Sequence, residues 1–291
     1  MRRCATLPAM NTGGEFHRAP VALPPDEGPA PGGVGDTLMQ RLERCVERLE
    51  DPSLPPTWVV HEVRKDLKRI RALLRLCGDV LPTRPLEKRC AAAARKLAPL
   101  RDAHATDETL ARLRLRADPG QLEALEALAD RLAQCRAEAA GTPGLPRPIT
   151  TAAAGSLCRV LHEVQALSFD RVDAAALDAG LADSWADSAA AFRRAVARPT
   201  LPRFHEFRKA AKRELHQREL SGRPLDRMER ATLKKLADVL GELQDLDVLR
   251  DTLRDAGRWR GPLRGLVKQT MRELRGRAIR LGSGRYPEGK S

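Results

Sequence analysis

The chain has 291 residues, and its 52 lysines and arginines against 39 aspartates and glutamates give a formal net charge of +13 at pH 7. A hydrophobic content of 42% provides for a sizeable core and excludes a mostly disordered protein. Such a charge does not select a fold, but it predicts a polyanionic partner. Aromatic residues make up only 3% of the chain, which argues against proteins that bind single-stranded nucleic acid by stacking its bases on aromatic rings.

The sequence also predicts a soluble protein of a reducing compartment. No segment approaches the roughly 18 unbroken apolar residues that a membrane-spanning helix requires, and the start, Met1-Arg2-Arg3-Cys4, lacks the apolar core of a secretory signal. The six cysteines form no CxxC pair, and most lie among leucine and alanine, so we expect reduced core thiols. A cytoplasmic protein with no membrane partner is therefore expected.

Residues 1–35 begin the chain with a segment rich in proline and glycine. Such a segment cannot bury enough apolar surface to offset its ordering entropy, so we expect a disordered tail. Asp36 then has the character of an N-cap, and apolar residues follow it at spacings of three and four through Leu49. This pattern predicts the first helix.

Helical periodicity continues along most of the remaining chain, and strand alternation is nowhere sustained. The predicted fold class is therefore all-α. The last ten residues, 282–291, are again rich in glycine and are predicted to form a flexible tail. The further predicted helices lie near residues 58–77, 86–97, 102–115, 121–140, 149–168, 173–197, 201–221, 225–256 and 261–281.

The segment 141–148, Gly-Thr-Pro-Gly-Leu-Pro-Arg-Pro, is the one internal stretch of the sequence that is dense in helix breakers. It lies close to the middle of the chain. We interpret it as a linker between two halves, residues 36–140 and 149–281, and we expect each half to form one helical bundle.

The two halves contain similar sequences in the same order. His-Glu-Val-Arg-Lys-Asp-Leu-Lys-Arg at 61–69 recurs as His-Glu-Phe-Arg-Lys-Ala-Ala-Lys-Arg at 205–213, with six of nine positions identical. Downstream, residues 97–110 match residues 240–253, with Leu-Arg-Asp in the first segment where the second has Leu-Gln-Asp. Order and spacing are kept, which predicts an internal duplication of a helical bundle.

A helical wheel of about 100° per residue places the basic residues of each copy on one stripe, opposite an apolar face that includes Val63 and Leu67 in the first copy and Phe207 in the second. A polyanion laid along a stripe would relieve the repulsion between its cations and release counterions. A merely solvated helix face is the alternative interpretation. These two basic stripes contain His61, Arg64, Lys65, Lys68, Arg71 and Arg75 in the first copy, and His205, Arg208, Lys209, Lys212 and His216 in the second.

A zinc site is not expected, although each repeat begins with His-Glu. The H-E-x-x-H motif needs a second histidine four residues after the first, so that both ligands share one helix face. Lys65 and Lys209 occupy those positions, and an ammonium group repels a cation. The sequence therefore predicts neither a metal site nor a cofactor.

Residues 60–71, Val-His-Glu-Val-Arg-Lys-Asp-Leu-Lys-Arg-Ile-Arg, resemble the signature of the CHAD family, the conserved histidine α-helical domain. The blocks at 100–102 and 240–245 resemble its second recurring motif, and the resemblance extends over about residues 36–281. It implies two four-helix bundles related by a pseudo-twofold axis, with a basic groove or pore between them. It also implies the binding of inorganic polyphosphate and association with polyphosphate granules.

The resemblance extends to the residues that would bind polyphosphate. Gln244 stands where the second copy would have an arginine equivalent to Arg101, so the site is not expected to be symmetric. Asp102 and Asp245 are interpreted as structural partners of the basic side chains. The candidate binding residues are His61, Arg64, Lys65, Lys68, Arg71 and Arg101 in the first half, and His205, Arg208, Lys209 and Lys212 in the second.

Non-enzymatic binding of inorganic polyphosphate is the expected function, with other polyanions as further candidate partners, because lysine and arginine bind a flexible polyanion without any catalytic group. One alternative is an enzyme or a histidine phosphoryl acceptor acting on phosphorylated substrates, although the chain contains no E-x-E-x-K tract. The other alternative is a basic nucleic-acid-binding protein.

Overall fold

In the computed structural model the described residues are 29, 32–97, 102–139, 147–255, 257 and 259–287. Within these ranges the chain forms ten α-helices and no β-strand, which confirms the all-α class. None of these helices is both long enough and apolar enough to cross a membrane. The helices are α1 (Val34–Glu50), α2 (Pro56–Leu76), α3 (Arg84–Lys96), α4 (Asp102–Arg114), α5 (Pro119–Ala139), α6 (Arg147–Gln165), α7 (Ala174–Ala197), α8 (Leu201–Leu220), α9 (Arg227–Asp255) and α10 (Gly261–Arg285).

Most of the predicted N-terminal tail, residues 1–35, lies outside the described residues. Its last two residues belong to α1, which begins at Val34. The side chain of Val34 is buried in the core that α1 helps to form. The first helix therefore begins two residues earlier than its predicted N-cap, Asp36.

The predicted C-terminal tail, residues 282–291, is wrong for its first residues. α10 continues to Arg285, and the next residue, Tyr286, is buried. The Tyr286 hydroxyl donates a hydrogen bond to Oε2 of Glu214 at 2.7 Å. This contact holds the C-terminal end of α10 against α8. The glycine content of the segment gives no indication of such a contact.

One hydrophobic core is enclosed by α1, α2, α3 and α6. α1 packs against α2 and α6, and α3 packs against the same two helices, so the four helices surround a common interior. The apolar face predicted for α2 points into it, since Val63, Leu67 and Ile70 are fully buried. This burial confirms the predicted orientation of the first repeated helix.

Three cysteines lie in this core as free thiols, in line with the prediction of reduced core residues. Cys45, Cys77 and Cys90 are fully buried. Burial raises the pKa of Cys77 and of Cys90 to about 12. At neutral pH these thiols are therefore protonated and unreactive, because the thiolate is the nucleophilic form.

A second core is formed by α7, α8, α9 and α10, with α4 and α5 packed against it. Phe207 and Ala211 are fully buried and Phe204 nearly so, which confirms the apolar face predicted for the second repeated helix. Phe207 of α8 contacts the rings of Phe192 in α7 and of Tyr286, which directly follows α10. Aromatic side chains therefore join three helices in this core.

The predicted division of the chain at residues 141–148 does not match the packing of the helices. α6 follows that segment but packs against α1 and α3, whereas α4 and α5 precede it and pack against α9 and α10. Leu157 of α6 is buried in the first core, and Leu110 and Leu125 are buried in the second. Sequence periodicity shows that a helix has an apolar face, but not which neighbour covers that face. Residues 141–146 lie outside the described residues.

The two repeated helices, α2 and α8, pack directly against each other. α2 lies next to α1 and α3, and α8 has a corresponding position next to α7 and α9. The buried amide Nε2 of Gln217 donates a hydrogen bond to the backbone oxygen of Ala72 at 2.9 Å, which joins the two helices. The fold therefore brings the basic stripes of the two sequence copies together. The predicted duplication itself stays a prediction.

Candidate functional site

A cleft of about 460 Å³ lies where α2 and α8 meet, and we call it the basic cleft. Three alanines, Ala72, Ala191 and Ala210, line it between the charged side chains. Among the described residues that line it, eight lysines and arginines outnumber three carboxylates, and there is one histidine. The polar lining residues are Lys68, Arg71 and Arg75 of α2, Glu87 of α3, Asp187 and Arg194 of α7, and Glu206, Arg208, Lys209, Lys212, Arg213 and His216 of α8.

The three carboxylates of the basic cleft all form ion pairs with its cations. Glu87 Oε1 lies 3.2 Å from Arg71 Nη2, and Glu206 Oε1 lies 2.9 Å from Lys209 Nζ. The hydrogen bond from Lys209 is the main cause that lowers the pKa of Glu206. Both carboxylates therefore hold a basic side chain in place at the rim of the cleft, and neither reverses its positive charge.

The third carboxylate, Asp187 of α7, contacts arginines from both repeated helices. Its Oδ2 accepts a hydrogen bond from Arg213 Nη2 at 2.7 Å and lies 3.9 Å from Arg75 Nη2. Burial is the main cause that lowers the pKa of Arg213, and the charge of Arg75 lowers it further. The ionic bridge Arg75–Asp187–Arg213 thus joins α2, α7 and α8 at one end of the basic cleft.

A second hollow of about 550 Å³ lies beyond this bridge and shares Arg75, Glu87, Asp187 and Arg213 with the basic cleft. Its lining has the opposite charge balance, with four carboxylates against three arginines. The electrostatic potential therefore changes along the α2–α8 interface, and a polyanion is favoured only on the side where cations dominate. The charged residues of the second hollow are Arg75, Asp79, Arg84, Glu87, Asp183, Asp187 and Arg213.

Five of the ten predicted binding residues line the basic cleft. They come from both repeated helices and face a common space, although they are far apart in the sequence. Lys68 and Lys209 are exposed, whereas Arg71, Arg208 and Lys212 are half-buried. These five are Lys68, Arg71, Arg208, Lys209 and Lys212.

Three predicted residues of the first copy lie outside the lining of the cleft. The side chain of His61 is 57% exposed, and its Nε2 lies 3.8 Å from Glu62. Lys65 Nζ lies 3.7 Å from the same carboxylate. Arg64 Nη1 donates a hydrogen bond to the backbone oxygen of Ala94 at 2.6 Å, which joins α2 to α3. The N-terminal part of the first stripe therefore lies beyond the lining of the cleft.

Of the remaining two predicted residues, His205 is described by the structure and Arg101 is not. His205 hydrogen-bonds through Nδ1 to Oε1 of Gln244, so it joins α8 to α9 and does not line the basic cleft. Gln244 is the residue that departs from the arginine of the family motif, and this contact gives it a structural part in this chain. Arg101 lies outside the described residues.

Four basic residues of the cleft are absent from the predicted binding set. Arg75 and His216 lie on the predicted basic stripes, each about one helical turn beyond the last residue selected, so the periodicity already included them. Arg213 is the last residue of the repeated motif, and it faces Asp187. Arg194 belongs to α7, and no pattern in the sequence links it to α8.

The described residues contain no group of three or more histidine, cysteine, aspartate or glutamate side chains that could hold a metal ion. The basic cleft is lined by guanidinium and ammonium donors from facing helices. Guanidinium groups bind phosphate oxygens in pairs, and ammonium groups act as mobile point charges. This arrangement suits a ligand with several phosphate groups.

Comparison with known proteins gives a family. A family model described as the CHAD domain matches residues 39–254. A crystal structure of the CHAD domain from the plant Ricinus communis is similar at 20% sequence identity, with 86% of this chain and 88% of that chain covered and a TM-score of 0.48. No curated protein matches the chain.

Proposed function

The chain belongs to the CHAD domain family, and from that premise we propose that it binds inorganic polyphosphate in the basic cleft without catalysing a reaction. The single observation on which this proposal depends is that eight lysines and arginines of α2, α7 and α8 line one cleft with only three carboxylates. Bringing so many like charges together is unfavourable unless counterions or an anionic ligand occupy the space.

The position of the cations on opposite walls favours a flexible chain of phosphates. Lys68 and Arg71 lie on α2, and Lys212 faces them from α8. A polyphosphate chain has a negative charge on every unit, so it can contact both walls at once and release its counterions on binding. Recognition of this kind needs no contact with a base and no aromatic stacking surface.

The alternative that His61 or His205 accepts a phosphoryl group draws no support from this geometry. A nucleophilic histidine would have to lie beside the bound phosphates. His61 is outside the lining of the cleft, and His205 is engaged with Gln244. The binding function is therefore the one that the arrangement of side chains favours.

We further propose that polyphosphate binding directs the protein to polyphosphate granules in the cytoplasm. A granule presents many chains at high local concentration, so even modest affinity for one chain would hold the protein at its surface. The excess positive charge of the whole chain, +13, acts in the same direction.

A titration with long-chain polyphosphate, duplex DNA and tRNA at matched salt tests this proposal. We expect the tightest binding to polyphosphate, and an affinity that falls linearly in log K against log salt concentration. Lys212→Glu should weaken binding by about tenfold or more, because it removes one cation from the cleft and adds an anion. Equal affinity for all three polymers would instead favour a nonspecific basic protein.

Lys268→Glu is the matched control for Lys212→Glu. Lys268 is exposed on α10 and does not line the basic cleft, but the substitution changes the net charge by the same amount. A loss of affinity that is the same in both variants would show that only net charge matters and would overturn the assignment of the cleft.

A further inference from the structure

Within the described part of the chain, the one histidine that lines the basic cleft is His216, near the C-terminal end of α8. Its side chain is 15% exposed. Among the described residues no partner lies within hydrogen-bonding distance of its buried Nδ1, and Oε2 of Glu219 lies 3.9 Å from it. One ring nitrogen is thus enclosed by protein, while the side chain still reaches the cleft.

Charged groups surround His216 on every element that packs against α8. Lys212 lies one helical turn before it on α8, and Arg69 approaches from α2. Glu219 on its other side is held by Arg230 of α9, whose Nη2 donates to Oε1 at 2.7 Å. The other charged groups of the shared cleft are Lys68, Arg71 and Arg75 of α2, Glu87 of α3, Asp187 and Arg194 of α7, and Glu206, Arg208, Lys209 and Arg213 of α8.

This environment disfavours the imidazolium form while the cleft is empty. Burial is the largest cause that lowers the pKa of His216, and Arg69 and Lys212 lower it further, whereas Glu219 raises it. The pKa therefore lies below its ordinary value of about 6.5. Near neutral pH the unliganded protein has a neutral histidine among cations, so His216 adds nothing to their mutual repulsion.

We propose that His216 is a further binding residue of the basic cleft, and that it takes up a proton and donates an N–H group to the ligand when polyphosphate binds. This inference rests on the proposed function. The added proton comes from solvent, and no covalent bond forms or breaks. A neutral imidazole has one N–H donor, whereas the imidazolium has two, so protonation leaves neither ring nitrogen as an acceptor facing a phosphate oxygen.

The sign of the coupling follows from the charges. A bound polyanion supplies negative charge beside His216 and raises its pKa above the value in the empty cleft. Because the liganded protein then binds more protons than the free protein, affinity must increase as pH falls through the interval between the two pKa values. If ligand binding raises the pKa by one unit, this coupling strengthens binding by up to about tenfold.

The proposal differs from the expectation for the two histidines of the repeated motif. His61 and His205 head the basic stripes, but neither lines the cleft. Either histidine would have to contact the ligand in order to take up the proton on binding. The histidine that lines the cleft is instead His216, which lies outside the repeated motif.

The first measurement is the affinity of wild type and His216→Gln for long-chain polyphosphate between pH 8 and pH 6 at fixed salt. Titration of the polyphosphate itself affects both proteins equally and cancels in the comparison. We expect the wild type to gain up to about tenfold more affinity than His216→Gln over this interval. His162→Gln, an exposed position on α6, is the matched control and should behave as wild type.

The second measurement uses the unaltered protein, so it does not depend on whether a variant folds. Nuclear magnetic resonance of labelled histidine side chains reports the pKa of each imidazole with and without polyphosphate. We expect the pKa of His216 to rise by about one unit on binding, and the side-chain signals of His162, which is exposed on α6, to show no change when the ligand is added.

The outcomes separate this inference from the proposed function. If polyphosphate does not bind wild type at any pH, the proposed function fails. If it binds, but the pKa of His216 is unchanged and His216→Gln has the pH dependence of wild type, then only the present inference is overturned.

Discussion

Arg213 donates a hydrogen bond at 2.7 Å to Asp187, and this contact places a carboxylate of α7 inside a cleft that is otherwise dominated by cations. Asp187 is also 3.9 Å from Arg75 of the opposite helix. It therefore reduces the repulsion between the two arginines when the cleft is empty. The same carboxylate repels a polyanion, so it should oppose ligand binding.

Asp187→Asn should strengthen polyphosphate binding while slightly lowering stability. Loss of the exposed ion pair should lower stability by no more than about 1 kcal/mol. Affinity should increase because the ligand is no longer repelled by the carboxylate. We also expect a steeper dependence of log K on log salt concentration, because one more cation contacts the ligand. Titration of both proteins at several salt concentrations measures this.

The control for Asp187→Asn is Asp238→Asn on the exposed side of α9, which alters net charge equally outside the cleft. It should leave affinity close to that of wild type. Weaker binding by Asp187→Asn would mean that Asp187 positions the arginines for the ligand and does not compete with it.

Adjacent residues of α2 should separate folding from binding. Leu67 is fully buried, so Leu67→Asp should destabilise the protein by roughly 3–5 kcal/mol through lost packing and an unpaired carboxylate. Lys68 is exposed in the cleft, so Lys68→Asp should keep the helical circular dichroism of wild type and lose affinity for polyphosphate. The same loss of helical signal in both variants would contradict the assigned faces.

The contact between Tyr286 and Glu214 predicts that the C-terminal end of α10 contributes to stability. Burial is the main cause that raises the pKa of Tyr286, so its phenol stays neutral and donates to the buried carboxylate. Tyr286→Phe removes this donor and should lower the free energy of unfolding by about 1–3 kcal/mol. Chemical denaturation measures the loss.

Ser168→Ala is a suitable control for Tyr286→Phe, since it removes an exposed hydroxyl that donates to Asp170 at 2.7 Å. Its effect on unfolding should be small because water replaces an exposed hydrogen bond. If Tyr286→Phe were as stable as Ser168→Ala, the end of α10 would not be held by this contact.

The sequence alone predicts the fold class and the buried faces of both repeated helices. Leu67 and Phe207 are buried where the helical periodicity places them, because side-chain period and burial are directly linked in an amphipathic helix. The neighbours of each helix do not follow from periodicity. Thus the packing of α6 against α1, and of α4 against α9, differs from the predicted division.

The candidate site was predicted only in part, for a related reason. Lys68 and Lys212 were found because they lie on stripes that repeat in the sequence, and the structure places both in one cleft. His61 lies on the same stripe, but a stripe that covers several turns of helix extends beyond the cleft. Arg194 and Asp187 come from α7, and only the tertiary packing brings them beside α8.

Chemical footprinting of lysines tests most directly whether polyphosphate occupies the basic cleft. Lysine acylation followed by mass spectrometry compares each side chain with and without saturating polyphosphate. We expect strong protection of Lys68, Lys209 and Lys212, which line the cleft, and little change at the exposed Lys234 and Lys268. Equal protection at all five positions, or protection of Lys234 and Lys268 alone, would contradict binding in the cleft between α2 and α8.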